Sequence, residues 1–368
     1  MNVLFDHQAF WYQRFGGVSR YFSCLMDSAL RNNIFQFENS VLYSNNVFIN
    51  DCSFIKNKSF FLNTNFIGKN KLFFILNYIN KKNSLNKLHS STFDVFHPTY
   101  FDTYYLNNLK IPFVLTFHDL TMEKFSSLFF EKVLFKNEKR LLLDNVSRVI
   151  AVSKNTKSDL IEYYGFDKNK VDVIYHGANL DRKMAKKPMF KFPENFILFV
   201  GARDNYKNFN FFVSAIKDII KSTKNLSLVC IGNSFSQDEL SFLRDVGVLK
   251  KTFCFNVNDN ELAYLYSKAK FFVYPSLYEG FGLPILEAFN CGCPVALSKT
   301  SCFPEIAQKN ALYFDPYNKE SIKNCVEDLI INEKKRQLLS KKGLKRAKDF
   351  SWKKCAKETK KVYQKAIK

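Results

Sequence analysis

Residues 271–297 constrain the fold more tightly than any other stretch of the chain. Phe271–Tyr274 is a β-branched and aromatic run that stops at Pro275, the pattern of a buried parallel strand. In the turn that follows, Gly280 and Gly282 let the backbone approach a ligand closely, and Pro284 has the fixed φ that suits the first turn of a helix. The spacing predicts a helix through Leu286, Glu287 and Ala288 to about Asn290, closed by Gly292 and Pro294, with Val295 to Leu297 starting the next strand. Strand, glycine turn, helix and strand make one βαβ unit. The free N–H groups at its helix start point above the strand ends and favour an anion, most naturally a phosphate.

Two carboxylates complete the stretch, Glu279 in the turn and Glu287 eight positions on, inside the helix. Each can accept two hydroxyl hydrogen bonds, so one can face the reacting part of a ligand while the other reaches a more distant polyol. The segment EGFGLPILE, preceded by YPS and followed by CGCPV and FPEIAQKNALYFDP, resembles the E-x7-E motif of the retaining glycosyltransferases of family 4. The resemblance implies an α/β protein of GT-B fold, two Rossmann-like doubly wound domains facing a central cleft, with the nucleotide-sugar donor on the second. It further implies that Glu279 meets the transferred sugar and Glu287 the ribose. Gly280, Phe281, Gly282 and Leu283 would line the donor between them.

The same resemblance extends to the strand and loop ENFILFVGARDNYKNF. A strand ends at Gly201, and Lys207 and Asn208 open a helix, which presents cations at the strand ends. In the family an Arg and a Lys here contact the distal phosphate, roles that fall on Arg203 and Lys207. Arg203 lies two residues after Gly201 where many members place Arg at one, and Tyr206 stands where an Arg often precedes the Lys. The implied reaction is retaining transfer: the diphosphate departs, positive charge develops at the anomeric carbon, and an acceptor hydroxyl attacks from the leaving-group side. No cofactor is implied beyond a GDP- or UDP-linked substrate, and the chain has no D-x-D motif, in keeping with metal-independent chemistry.

The N-terminal half alternates strands and helices. Val3 to Phe5 reads as a strand, and QRFGGVSRY opens a helix on a glycine pair. By resemblance Gly16 and Gly17 line the acceptor side. The guanidinium of Arg20 either meets an acceptor phosphate or is an exposed first-turn residue. Two further strands, FDVFHPTY and PFVLTFHDL, each end in a histidine, at the rim where open α/β sheets bind ligands. The family's T-x-H-D context falls on His118, with Asp119 beside it, and implies a contact to the donor sugar or the departing phosphate. His97 reads as a satisfied core histidine. An amphipathic helix is expected at about Leu128 to Asp144, then a strand Val149 to Val152, and a helix capped by Ser153 or Asn155 and closed by Gly165. Residues 183–195 carry two prolines and no periodicity, which marks a linker between a first domain over 1–182 and a second over 196–349. A basic helix over 350–368, with apolar spacing at Trp352, Cys355 and Val362, would by resemblance pack back on the first domain.

The net charge of +21 is concentrated. Residues 54–88 carry seven Lys and no acid, and 333–368 carry fifteen Lys and Arg against three acids, so +19 lies in two short stretches. Such patches fit an anionic surface, a membrane or a nucleic acid, or are simply solvated helix faces. Residues 54–88 mix Phe, Ile and Leu with Lys, as a helix lying in a lipid interface does, and as a core helix with a solvated face also does. Nine scattered Cys without a C-x-x-C pair, and a start without a secretory pattern, point to reduced thiols in the cytoplasm. No apolar run reaches the length of a membrane span.

The expected partners are therefore a nucleotide sugar, a glycan or lipid-linked saccharide acceptor, and the inner face of the membrane. GGVSRY and GARDNYKNF look most like bacterial surface-polysaccharide members, often mannosyltransferases, which favours GDP-mannose. Two other readings are a GT-B epimerase, which turns over donor without acceptor, and a basic nucleic-acid-binding protein. The second lacks any recognisable reader motif.

Overall fold

Apolar residues that run without polar interruption over four or five positions form strands covered on both faces, and here they build two parallel sheets. A computed structural model of the chain describes residues 1–50, 68–90, 92–126, 136–203 and 205–368. The first six strands are β1 (Asn2–Phe5), β2 (Gln36–Asn39), β3 (Val95–His97), β4 (Val114–Phe117), β5 (Arg148–Ala151) and β6 (Val171–Val173). They pair in parallel as β2-β1-β3 and β4-β5-β6, and a bridge from Phe96 to Phe113 joins the two sets. Successive side chains leave opposite faces. Val3, Phe5, Val95, Val114 and Ile150 enter one core, and Leu4, Phe96, Leu115, Val149 and Ala151 the other.

The next six strands are β7 (Phe196–Val200), β8 (Ser227–Ile231), β9 (Thr252–Phe255), β10 (Phe271–Tyr274), β11 (Val295–Ser298) and β12 (Leu312–Phe314). Their order is β12-β11-β10-β7-β8-β9, all parallel. The chain leaves β7 toward one edge and returns to its other side at β10, so the strand order reverses between these two neighbours. That is where an open α/β sheet has its ligand crevice, at the carboxyl ends of the strands.

The contacts divide the chain into one unit of Met1–His176 with Trp352–Lys368 and a second of Gly177–Ser351. Residues 177–195, read from sequence as the end of the first domain and a linker, group with the second. The cause is local: a single helical turn at Arg182–Met184 packs on the helix Asp259–Lys268, Lys186 N–H donates to the Asn260 carbonyl at 3.0 Å, and Phe192 meets the rings of Phe196 and Tyr264. The helix Trp352–Ile367 belongs to the first unit. It packs on the helix Gly17–Arg31, with Cys355, Ala356, Val362 and Tyr363 buried in the core while its lysines stay outside.

Of the expected helix at 128–144, the structure describes Lys136–Asn145, and the stretch 127–135 lies outside the described residues. Ser153, not Asn155, is the cap of Lys154–Tyr164: its hydroxyl accepts the Thr156 N–H at 3.0 Å. Gly165 closes that helix at φ +67°. The eight described cysteines are all free.

Candidate functional site

The site is built where β7 and β10 end side by side. After β7 the chain makes a single turn, Asn205–Lys207, and Asn208, in a left-handed conformation, starts the helix Phe209–Ser222. After β10 the chain turns through Pro275 and Leu277, whose N–H donates to the Tyr206 carbonyl at 2.8 Å, locking the two loops together. Glu279 follows, its N–H held by the Ser301 hydroxyl at 3.2 Å. Gly282 has φ +82°, where a side chain is strained, and a Cβ there would also press on Ile285 at 3.0 Å and Phe303 at 3.2 Å. The helix Leu283–Asn290 starts from it with Pro284 in its first turn, and its N-terminal amides lie beside the loop that carries Glu279.

This folding brings Lys207 and Glu279 together. The ammonium lies 2.6 Å from Glu279 Oε1, and the side chains are only 13% and 14% exposed. Lys207 Nζ is also 3.5 Å from the Tyr274 hydroxyl and sits over two aromatic rings, 4.9 Å from the Tyr206 centroid and 5.5 Å from that of Tyr274. Burial disfavours the charged form of Lys207. The Glu279 carboxylate and the two tyrosines outweigh it and hold the ammonium well above its usual range, so the cation is permanent at any physiological pH. Tyr274, 4% exposed, is held protonated by burial and by the neighbouring carboxylate.

Arg203 is engaged elsewhere. Its Nε is 2.5 Å from Glu239 Oε1, and a terminal nitrogen donates to the carbonyls of Asn233 at 2.7 Å and Ser234 at 3.2 Å. Its guanidinium also lies over the Phe235 ring at 4.7 Å. Burial works against both charges, yet this pairing holds Glu239 below the usual carboxylate range and Arg203 above its own. Arg203 therefore ties down the loop after β8, and it would reach a phosphate only by leaving Glu239. The signal that could have marked Glu239 is the capping box Ser236 to Glu239, which carries no trace of its second partner, Arg203. Glu287 lies within the helix, 5% exposed, and its charge adds to burial in raising the hydroxyl of Tyr266 and the thiol of Cys291. The residues that sequence reasoning missed are Tyr274, Ser301 and Glu239; Tyr206 was noticed only as a departure from the family's Arg.

In the first unit, His118 follows β4 with its ring edge-on to Tyr21 at 5.0 Å and Phe22 at 6.1 Å, and 6.1 Å from His176. Burial lowers it to about 4, against the pull of Asp119, so the imidazole is neutral at pH 7. Its Nε2 is buried without a hydrogen-bond partner among the described residues, an arrangement that costs stability unless a ligand supplies the missing bond. His97 is the satisfied core histidine expected: Nδ1 meets the Tyr363 hydroxyl at 2.7 Å, Nε2 meets Thr116 at 2.9 Å, and burial lowers it to about 3. Gly16 is extended, and a Cβ on it would strike the Gln13 amide, which accepts the Ser19 N–H at 3.1 Å. Gly17 begins the helix in open space. Arg20 is half-buried with its guanidinium 5.6 Å from the Phe48 ring centroid.

Among the described residues no cluster of His, Cys, Asp or Glu is arranged to hold a metal ion, and no helix is long and apolar enough to cross a membrane.

Comparison with known proteins fits this geometry. The family "Glycosyl transferases group 1" matches residues 181–346, and "Glycosyltransferase Family 4" matches 64–182. The O-antigen chain mannosyltransferase RfbU of Salmonella typhimurium is 32% identical over 58% of this chain and 60% of its own length. An uncharacterized glycosyltransferase of Methanocaldococcus jannaschii is 31% identical over 70% of each chain. Among solved structures, sucrose-phosphate synthase from Thermosynechococcus elongatus superposes with a TM-score of 0.73 over 99% of this chain and 98% of its own, at 19% identity. With the two family models together spanning residues 64–346, a glycosyltransferase relative 31% identical over 70% of each chain, and parallel Rossmann-like sheets, this chain belongs to the group 1 glycosyltransferases and has the GT-B fold.

Proposed function

We propose that this protein is a retaining, metal-independent mannosyltransferase that moves mannose from a nucleotide diphosphate donor to a glycan or lipid-linked saccharide in surface-polysaccharide synthesis. The observation that carries the reading is the Lys207–Glu279 pair at the strand-order reversal, beside the start of the helix Leu283–Asn290. A permanent cation beside helix amides stabilises the charge that builds on a departing diphosphate. Glu279 accepts hydroxyls of the transferred sugar, Glu287 those of the ribose, and the Gly280–Leu283 backbone lies along the phosphates. His118, neutral and lacking a hydrogen-bond partner at Nε2, orients the donor without carrying a proton. Gly16, Gly17 and Arg20 line the acceptor side. The name of RfbU supports mannose and O-antigen synthesis. Assay of mannose transfer from GDP-mannose, against UDP-glucose as control, tests the donor. His118→Ala should lose turnover and keep affinity for GDP; loss of GDP binding in a folded variant would refute the orienting role.

The enzyme acts peripherally on an anionic membrane, at its cytoplasmic face, where a lipid-linked acceptor is reached. The helix Lys69–His89 supports this. Its inward positions are Leu76, Asn80, Ser84 and Leu88, and the two polar ones are spent on hydrogen bonds to Leu42, Tyr43, Ser40 and His7. Three of its large apolar residues face outward: Phe74 is 74% exposed, Tyr78 65% and Ile75 56%, with Lys69 and Lys71 on the adjoining turn, while Phe73 lies against the Trp11 ring at 4.1 Å. An apolar outer face flanked by lysines and free of acids matches an anionic bilayer. Each Lys near such a surface contributes about 1 kcal/mol. Co-sedimentation with phosphatidylglycerol-containing vesicles should exceed that with neutral ones and fall with salt, and F74S with I75S should weaken it further. Equal binding to neutral and anionic vesicles would count against the docking.

A further inference from the structure

We infer that Glu279 makes the site discriminate against the bare nucleoside diphosphate, so that the same carboxylate that holds the sugar drives the product out after transfer. The inference rests on the donor-binding reading above and deepens it. The Lys207 ammonium already has an ionic partner. It is closed on Glu279 at 2.6 Å, with both side chains about seven-eighths withdrawn from water. The Tyr206 and Tyr274 rings flank the ammonium, and the Tyr274 hydroxyl is 3.5 Å from it.

A diphosphate that takes Lys207 must displace the carboxylate from it, and then stands within a few ångströms of that carboxylate. At this exposure the repulsion between the two anions is only partly screened. Arg203 does not relieve it, because its guanidinium is already committed to Glu239 and to two carbonyls. The position just before Lys207, where the family often has an Arg, is Tyr206, which supplies a ring face and no second charge.

The intact sugar nucleotide meets a different balance. Its hydroxyls give Glu279 the hydrogen bonds it loses when Lys207 turns to the phosphates, so displacement of the carboxylate is compensated. Once the sugar has left, the same carboxylate again faces the diphosphate with nothing to accept from. It then competes for Lys207 and repels the product. Lys207 and Glu279 thus act as a closed pair that the donor opens and the departing product lets close. A Glu279 that met only the transferred sugar, as the family resemblance implies, would leave the bare diphosphate almost untouched when removed; its pairing with Lys207 changes that.

Calorimetric titration of the full chain with GDP, UDP and GDP-mannose tests this in wild type, Glu279→Gln and Glu279→Ala. Glu279→Gln keeps the size of the side chain and removes its charge. It should bind the preferred bare nucleotide about tenfold more tightly, a gain typical of removing one like charge from a partly desolvated site. Its affinity for GDP-mannose should not rise in step, so the ratio between the two ligands collapses. Product inhibition by GDP should strengthen by a similar factor. Glu279→Ala should show the same direction for the bare nucleotide, and circular dichroism confirms the fold of both. Bare-nucleotide affinity that is unchanged or weaker in both variants would overturn the inference and leave the donor site standing. Absence of binding by GDP and UDP to wild type and variants alike would overturn the donor-site reading itself, and this inference with it.

Discussion

Lys207→Ala is expected to be the most damaging single substitution in the second unit, lowering kcat about 100- to 1000-fold with GDP-mannose, the scale seen when one preorganised charge stabiliser is removed from a developing anion. The ground-state effect should be smaller. The cation is already paired with Glu279 before substrate arrives, so part of its attraction for the diphosphate is spent on breaking that pair. A second consequence follows from burial. The variant leaves the Glu279 carboxylate, 14% exposed, without its counter-ion, so a loss of about 3 kcal/mol in the stability of this unit is expected. The double variant Lys207→Ala with Glu279→Gln should recover most of that stability and none of the turnover. Recovery of turnover in the double variant would show that Lys207 serves only to neutralise Glu279, and the leaving-group role would be wrong.

Glu287→Ala is expected to weaken GDP and GDP-mannose alike, by roughly ten- to a hundredfold, because removing a charged acceptor from a hydrogen bond costs about 1.5 to 3 kcal/mol. Equal losses for the two ligands are the signature of a contact to the part they share, the ribose. The contrast with Glu279 is then in sign: one glutamate should cost affinity for the bare nucleotide when removed and the other should increase it. Glu287 is 5% exposed beside Tyr266 and Cys291, so Glu287→Gln, which keeps the packing, should accompany the alanine variant. If Glu287→Ala loses only GDP-mannose and holds GDP unchanged, the ribose assignment fails.

Much of the second unit could be read from its residues because its signals are local. The strand Phe271–Tyr274 and the helix ending at Asn290 stand where the apolar run, Gly282, Pro284 and Gly292 put them. The motif also placed Glu279 on the turn before the helix. What escaped the sequence depends on pairs far apart in the chain. Nothing in GARDNYK shows that Arg203 is taken by Glu239, 36 residues away, or that Lys207 closes on Glu279, 72 residues on. The boundary was misplaced for a related reason: residues 183–195 lack periodicity, yet they are fastened by a backbone bond to Asn260 and by ring contacts, neither of which leaves a periodic trace. The helix Lys69–His89 was ambiguous because apolar spacing normally reports the buried face. Here Asn80 and Ser84 are buried while Phe74, Ile75 and Tyr78 are outside, so the pattern could not tell which side was in.

The second unit is an insertion in the first. The chain leaves the first unit at His176 and re-enters it at Trp352, and these two rings are stacked 5.7 Å apart. This geometry sets an order of assembly. Residues 177–351 are contiguous, so on a ribosome that unit can fold as soon as it has emerged. The first unit cannot finish, although its sheet is made earlier, because Cys355, Ala356, Val362 and Tyr363 fill its core and the Tyr363 hydroxyl completes His97 at 2.7 Å. Until the helix Trp352–Ile367 arrives, the flank of the sheet and the helix Gly17–Arg31 present an open apolar groove. A nascent chain stalled before residue 352 should therefore carry a folded second unit and a chaperone-binding, protease-sensitive first one. The same adjacency means that the two ends of the insert start and finish at one place, so residues 177–351 can be cut out at His176 and Trp352 and closed there with a short linker.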